Sequence, residues 1–295
     1  MLTRLQVILS FILLTSAQKI LVTNDDGWAV AQIRAQFNAL ESAGYDVCRT
    51  GSSSAPPTTL TTPCEFNTCP TGSPPEGADA NDPRLNYVNS FPVDSVRFGI
   101  QTLSPQLFGS RPDFIVSGPN VGNNLGTGVR GSGTVGAACE AALENLPSIA
   151  FSGASTSHVS FTTLQTDPTS SATVAALLYS QLTVQLVNAL LRTTLTPTLP
   201  SGITLNVNYP RTSLRGCTSI SNYAFVFTRL VVDNSATDVE TCGSTRLPDE
   251  STVVGAGCFA SVTVINATTK MDVSATVQGQ VLSRFPSTFF SCFSN

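Results

Sequence analysis

A single histidine, His158, serves a chain of 295 residues, and no CxxC pair accompanies it. A structural zinc site is therefore not expected. The nucleophile-elbow pattern G-x-S-x-G is missing, and a serine hydrolase could draw its base only from His158, in the polar stretch GASTSH. That histidine reads as a loop residue that could hydrogen-bond a phosphate near the strand end at Ser152. Charge is scarce as well. Charged residues make up 12%, Lys and Arg number 15 against 19 Asp and Glu, and the net charge is −4. With no basic cluster, an electrostatic grip on duplex nucleic acid or on an anionic membrane is excluded as the working principle. Any phosphate would have to be held locally, by backbone dipoles or a metal. No internal repeat is present.

What is there is apolar enough to fold: 41% hydrophobic residues can bury a sizeable core. Arg4, the apolar run Leu5 to Leu14 and the small residues Thr15-Ser16-Ala17 read as a secretory leader over residues 1–17, cut before Gln18. The expected location is therefore extracellular. The later apolar run Ala172 to Leu191 carries Ser180, Gln181, Gln185 and Asn188, which suit an amphipathic core helix better than a membrane span. Eight cysteines in an oxidising compartment suggest disulfides. Cys64 with Cys69 is the safest pair; Cys242 with Cys258 and Cys217 with Cys292 are expected next, and Cys139 reads as a buried small apolar residue.

Along the chain, Ile20–Thr23 reads as a buried strand, Trp28 to Ala43 as a helix and Tyr45-Asp46-Val47-Cys48 as a second, short strand. Residues 50–83, rich in Ser, Thr, Pro and Gly, read as a long surface loop. Asp113 to Ser117, Ser148 to Ser152, Thr204–Asn208, Ala224–Val232 and Ala260–Ile265 read as strands. Helices are expected at about Val135 to Leu146, over 172–192 and near Ser274–Arg284. This alternation predicts an α/β fold with a mostly parallel sheet, in one domain over 18–295 with a C-terminal extension from about 215 to 295.

In such sheets, ligands bind beyond the carboxyl ends of the strands. That rule brings Asn24-Asp25-Asp26-Gly27 beside Gly118-Pro119-Asn120. Two carboxylates and an amide oxygen suit a hard cation such as Mg²⁺ or Mn²⁺. The competing reading of Asp25-Asp26 is a helix cap with a dipole-facing acid. The segment GPNVGNNLGTGVRGSGTVG, residues 118–136, places seven glycines in nineteen positions and runs into a helix. Its Ser132, Thr134 and free N–H groups make an anion site. Within it, Gly126 to Gly131 matches G-x-G-x-x-G, but neither follows a strand directly nor opens a helix, so a dinucleotide reading fails.

NDDG after the first strand, then PDFIVSGPNVGNNLG and SGTVGAACEAALENLPSIAFSG, closely resemble the SurE family of metal-dependent phosphatases and nucleotidases. The likeness runs from Lys19 to Gly153, and more weakly through LNVNYP and MDVSATVQ. The leader and the Cys-rich loop resemble its secreted fungal-type branch, often labelled acid phosphatases. The resemblance implies a three-layer α/β/α Rossmann-like core with a C-terminal hairpin or helix used in dimerisation, hence a homodimer or higher oligomer. It implies hydrolysis of small phosphate monoesters, typically nucleoside monophosphates, with a divalent metal. By the same resemblance Asp25, Asp26 and Asn120 are metal ligands, Asp25 and Asp26 also catalytic, and Ser132, Gly133 and Thr134 hold phosphate. Asn124 falls where a substrate-facing asparagine sits. One departure is visible. The second strand stops at Cys48, short of the loop whose serine completes the family's metal site. Thr50, or else Ser52, is the replacement ligand on this reading. The alternative function is a catalytically impaired phosphate-ligand binding protein.

Overall fold

The first strand is made by its own alternation. In β1 (Lys19–Asn24), Ile20 and Val22 point to one side of the sheet and Leu21 to the other, and all three are fully buried. Burial on both faces requires helices above and below. The chain supplies them in a computed structural model that describes residues 17–52, 58–154, 157–213 and 216–293. The leader expected over 1–17 thus lies, apart from Ala17, outside the described residues.

After β1 come α1 (Ala31–Ser42), β2 (Asp46–Ser52), β3 (Glu76–Ala78), β4 (Leu85–Val88) and α2 (Pro92–Phe98). The last passes through the wider turn Gly99–Leu103 into α3 (Ser104–Phe108). Then follow β5 (Phe114–Val121), α4 (Gly133–Leu143), β6 (Ser148–Gly153), α5 (Thr163–Thr166) and α6 (Ser171–Leu191). The chain closes with β7 (Ile203–Tyr209), β8 (Ala224–Thr228), α7 (Glu250–Ala256), β9 (Phe259–Asn266), β10 (Met271–Asp272) and α8 (Ala275–Leu282).

The strands form one ten-stranded sheet in the order β10-β9-β7-β6-β5-β1-β2-β4-β3, with β8 on the outer side of β9. From β7 to β4 every pairing is parallel. β3 and β9 add antiparallel strands at the two ends. Ile33, Phe37 and Leu40 of α1 pack with Leu182 and Leu186 of α6 on the face of Ile20 and Val22. Leu21 faces Val96, Ile100, Ala137 and Ala141 on the opposite side. The expected three-layer α/β/α arrangement with an open, mostly parallel sheet is what the chain adopts. Strand order reverses between β1 and β5, and that reversal is the crevice where α/β sheets bind ligands.

Several expectations change. β2 does not stop at Cys48. It runs to Ser52 and pairs with β1 from Asp46 through Gly51 and with β4 from Arg49 through Ser52. The polar residues Arg49 and Thr50 hid it, although both are fully buried. The loop expected over 50–83 accordingly begins later and contains β3. Cys64–Cys69 forms as expected, but the other bridges are Cys217–Cys258 and Cys242–Cys292, not Cys242–Cys258 and Cys217–Cys292. The reason is packing: α7 separates Cys242 from Cys258, whereas β8 pairs alongside the start of β9 and brings Cys217 to Cys258. Cys139 is a buried free thiol, as expected, and so is Cys48. By length and composition α6 could cross a membrane, yet 61% of that window is buried within the fold, as suits a core helix.

Candidate active site

The turn after β1 is closed by Asn24, whose Nδ2 donates to Gly27 O at 2.9 Å. This leaves Asp25 and Asp26 at the strand's carboxyl end, directed to different neighbours. Asp25 Oδ2 accepts from Thr134 N at 2.9 Å, and Oδ1 from Thr134 Oγ1 at 2.5 Å. Thr134 is the second residue of α4, so Asp25 meets the positive end of that helix. The approach is close enough to demand glycine next door: a Cβ on Gly133 would sit 2.8 Å from Asp25 Oδ2 and 2.7 Å from Pro92 Cγ. Ser132 caps α4, its Oγ accepting from Val135 N at 3.1 Å. The cap reading of the acid pair is therefore half realised, but on α4; α1 has Val30 at its N-cap position, with no side-chain cap.

Asp26 turns the other way. Its Oδ2 accepts from Val121 N at 2.7 Å, and Oδ1 lies 3.1 Å from His158 Nε2. His158 Nδ1 lies 3.2 Å from Glu65 Oε1. Across from the pair, on β5, Asn120 donates through Nδ2 to Gly122 O at 2.8 Å. The amide is thereby oriented with its carbonyl Oδ1 as the atom left for a ligand.

Burial raises the Asp25 carboxyl above its ordinary value, and the Asp26 charge raises it further, against the opposing Thr134 bonds. The hydrogen bond with Asp26 outweighs desolvation and pushes His158 up to about 9, so this imidazole is cationic at neutral pH. Two abutting carboxylates with one histidinium beside them retain a deficit of positive charge. Among the described residues, no group of three or more His, Cys, Asp and Glu side chains could hold a metal ion. The donor set is instead two carboxylates and the Asn120 carbonyl. That set would suit a hard divalent cation.

Thr50 lies elsewhere. It is fully buried in β2 and donates to Thr23 Oγ1 at 3.3 Å. Gly51, its neighbour, is the residue that lines the cavity beside the carboxylates. The Ser52 side chain lies outside the described residues. Asn124 is held from behind by β7: its N donates to Asn208 Oδ1 at 2.9 Å, and its carbonyl accepts from Asn206 and Asn208 Nδ2 at 2.9 and 3.0 Å. Its own Nδ2 donates to Ser152 Oγ at 2.8 Å. Behind the same loop is a third acid, Glu250, fully buried, which accepts from Gly126 N at 2.5 Å and from Asn206 Nδ2 and Thr263 Oγ1 at 3.0 Å each.

Sequence reasoning passed over Glu65. It read His158 as a loop residue able to meet a phosphate near Ser152, at the carboxyl edge of β6, but not its contact with Asp26. The cavity these residues share measures about 400 Å³. A larger open groove of about 1210 Å³ runs between α1 and α6, and among the described residues its lining has no Asp, Glu, His or Cys. Chemistry therefore points to the smaller one.

A parallel sheet with an acid pair at its switch point and a capped helix N-terminus facing that pair defines an α/β protein built to handle a phosphate group. The profile of the family described as "Survival protein SurE" matches residues 20–235, and the chain belongs to that family. It is 30% identical to an "Acid phosphatase" of Yarrowia lipolytica over 91% of this chain and 85% of the relative. It is 33% identical to a "5'-nucleotidase SurE" of Lawsonia intracellularis over 66% of this chain and 67% of the relative. The crystal structure of a SurE protein from Aquifex aeolicus shares the fold, with a TM-score of 0.57 at 22% identity over 90% of this chain and 98% of that one.

Proposed function

We propose that this chain is a secreted, metal-dependent phosphomonoesterase acting on nucleoside monophosphates or similar small esters. The observation that carries the reading is the Asp25–Asp26 pair at the sheet's switch point, facing the start of α4 and the Asn120 carbonyl. Relatives named acid phosphatase and 5'-nucleotidase make it a phosphatase-class hydrolase. Asp25, Asp26 and Asn120 would hold the cation, Mg²⁺ or Mn²⁺. When bound, it would supply positive charge to the phosphoryl oxygens and acidify water.

The protein's own groups do the rest. Thr134 fixes Asp25, while Val121 N and His158 fix Asp26, so both carboxylates are held without reorganisation. Ser132 and Gly133 at the start of α4 present the helix's positive end to the phosphate. Asn124 holds the rim of the glycine loop through Ser152. His158 stands as a donor within reach of a phosphate beside Asp26. Hydrolysis forms one bond from a water oxygen to phosphorus and breaks the ester P–O bond. The electron pair stays with the alcohol oxygen, which takes up a proton as water loses one. The alternative, an impaired binding protein that lacks one metal ligand after Cys48, is the less favoured reading: β2 runs on to Ser52 beside β1 and β4, and relatives matched over most of the chain are named as enzymes.

Phosphate release from adenosine monophosphate and p-nitrophenyl phosphate, with Mg²⁺ or Mn²⁺ and then with chelator, tests the reading. Turnover should require the metal. Activity indifferent to chelator would sink the metal mechanism. Secretion is supported by three disulfides among the described residues, and a mature N-terminus at Gln18 by mass spectrometry would establish the leader. Light scattering tests the homodimer or larger assembly that belongs to the same reading.

A further inference from the structure

The cavity at the acid pair has a wall that the phosphate chemistry does not require. The Cys64–Cys69 disulfide closes a short loop, and that loop reaches the site at both ends. Glu65 Oε1 stands 3.2 Å from His158 Nδ1. Thr68 Oγ1 accepts from Trp28 Nε1 at 2.8 Å and donates to Glu65 O at 2.9 Å. One hydroxyl thus ties the indole to the backbone that carries the carboxylate. Trp28 in turn meets Tyr87 edge-on, ring centroids 5.5 Å apart, and Leu60 completes an apolar flank. The Trp28 backbone lies tight against β2, where a Cβ on Gly51 would sit 2.5 Å from Trp28 N and Cα.

Charge in this cavity is lopsided. Among the described residues, its charged lining groups are Asp25, Asp26, Glu65 and His158, with no Lys or Arg beside them. The phosphate being cleaved has helix α4, His158 and the cation's charge to meet it. A second anion carried on the alcohol part would instead enter the compartment of Trp28, Tyr87 and Leu60, whose acidic wall is Glu65, while His158 beside it is already engaged by Asp26 and Glu65. At about 400 Å³ the space lies within the range that holds a small organic group.

Resting on the phosphomonoesterase reading, we infer that this compartment receives the alcohol part of the ester and that Glu65, held by the disulfide loop, is a specificity-determining residue that rejects a second anionic group there. Selection of this kind works by repulsion of the wrong substrate rather than attraction of the right one. An uncharged planar alcohol part, such as an aryl group or a nucleoside, meets aromatic walls and neutral hydroxyls; a bisphosphate meets Glu65.

The test compares kcat/KM for release of the 5′-phosphate from adenosine 5′-monophosphate and from adenosine 3′,5′-bisphosphate, using the full chain with Mg²⁺ or Mn²⁺. The monophosphate should win by roughly tenfold, and Glu65→Gln should narrow that ratio by roughly three- to fivefold, the size expected of one partly screened charge. No preference in the native protein, or an unchanged ratio in Glu65→Gln, would overturn the inference. Should that variant fail to fold, the native protein still decides. Its ratio should fall as salt rises from about 0.02 to about 0.5 M, because the Debye length shrinks severalfold, and a salt-independent ratio would overturn the inference equally. No phosphate release from any ester would remove the phosphomonoesterase reading itself, a different result from release without selectivity.

Discussion

Two acid sites flank the glycine loop, and their surroundings differ in kind. In front, Asp25 and Asp26 share a cavity with a charged histidine, and burial and mutual repulsion both raise Asp25. Behind, Glu250 is closed off completely and meets only neutral donors: a backbone N–H, an amide and a hydroxyl. Burial first, with a smaller push from the Asp272 charge, lifts it to about 8 against those bonds. The front pair holds charge that His158 only partly offsets among the described residues, which is the condition for binding a cation. Glu250 holds a proton and fixes Gly126, which is the condition for a support. Similar residues thus divide into chemistry and scaffold by what faces them.

The largest effect expected from breaking this division is at the front. Asp25→Asn should lower kcat/KM by about a hundredfold or more, yet leave thermal stability unchanged or raised, because it removes one of two repelling charges while an amide oxygen still accepts from Thr134. Kinetics beside a melting curve check both halves, and a large loss of stability would contradict it. Next comes Glu250→Ala, which strands Gly126 N and Asn206 Nδ2 in the interior and should cost about 2–4 kcal/mol, read by urea unfolding. Glu250→Gln, isosteric with the neutral acid, should cost much less.

A further effect is a slope. Because the folded carboxyl titrates at about 8 against 4.5 unfolded, its contribution is complete below about pH 4.5 and is lost as the pH rises through 8. Unfolding free energies across that window should fall with pH in the native protein and flatten in Glu250→Gln. Parallel slopes in the two would show that Glu250 is not the group responsible.

Much of this was legible in the chain. Apolar runs marked β1, β5 and β6, three-to-four spacing marked α1, and the rule of the carboxyl edge brought Asp26 and Asn120 together before any coordinates. What stayed hidden shares a physical cause. Arg49 and Thr50 are polar residues inside a strand, so hydropathy closed β2 too soon. His158, Glu65 and Asp26 are distant in sequence and meet only because the β6 loop and the disulfide loop fold over the same edge. Pairing of Cys217 with Cys258 follows from β8 lying against β9, a contact no local pattern encodes. Thr134 was expected on phosphate; its hydroxyl and N–H both turn to Asp25, because Gly133 lets the carboxylate approach.

The Cys242–Cys292 bridge reaches beyond local stability. Beside it, Ser291 N donates to Phe225 O at 2.8 Å, and Phe290 pairs with Phe225 along the free side of β8. A sheet this wide has two open rims, each a template on which a foreign strand could grow. One rim ends in the three residues of β3. The other is overlaid by Phe290 and Ser291, and the sulfur bridge at Cys292 keeps that overlay in place. Under reducing conditions the overlay would lose its anchor, so the same covalent link that tethers the tail also guards the protein against strand-by-strand self-association.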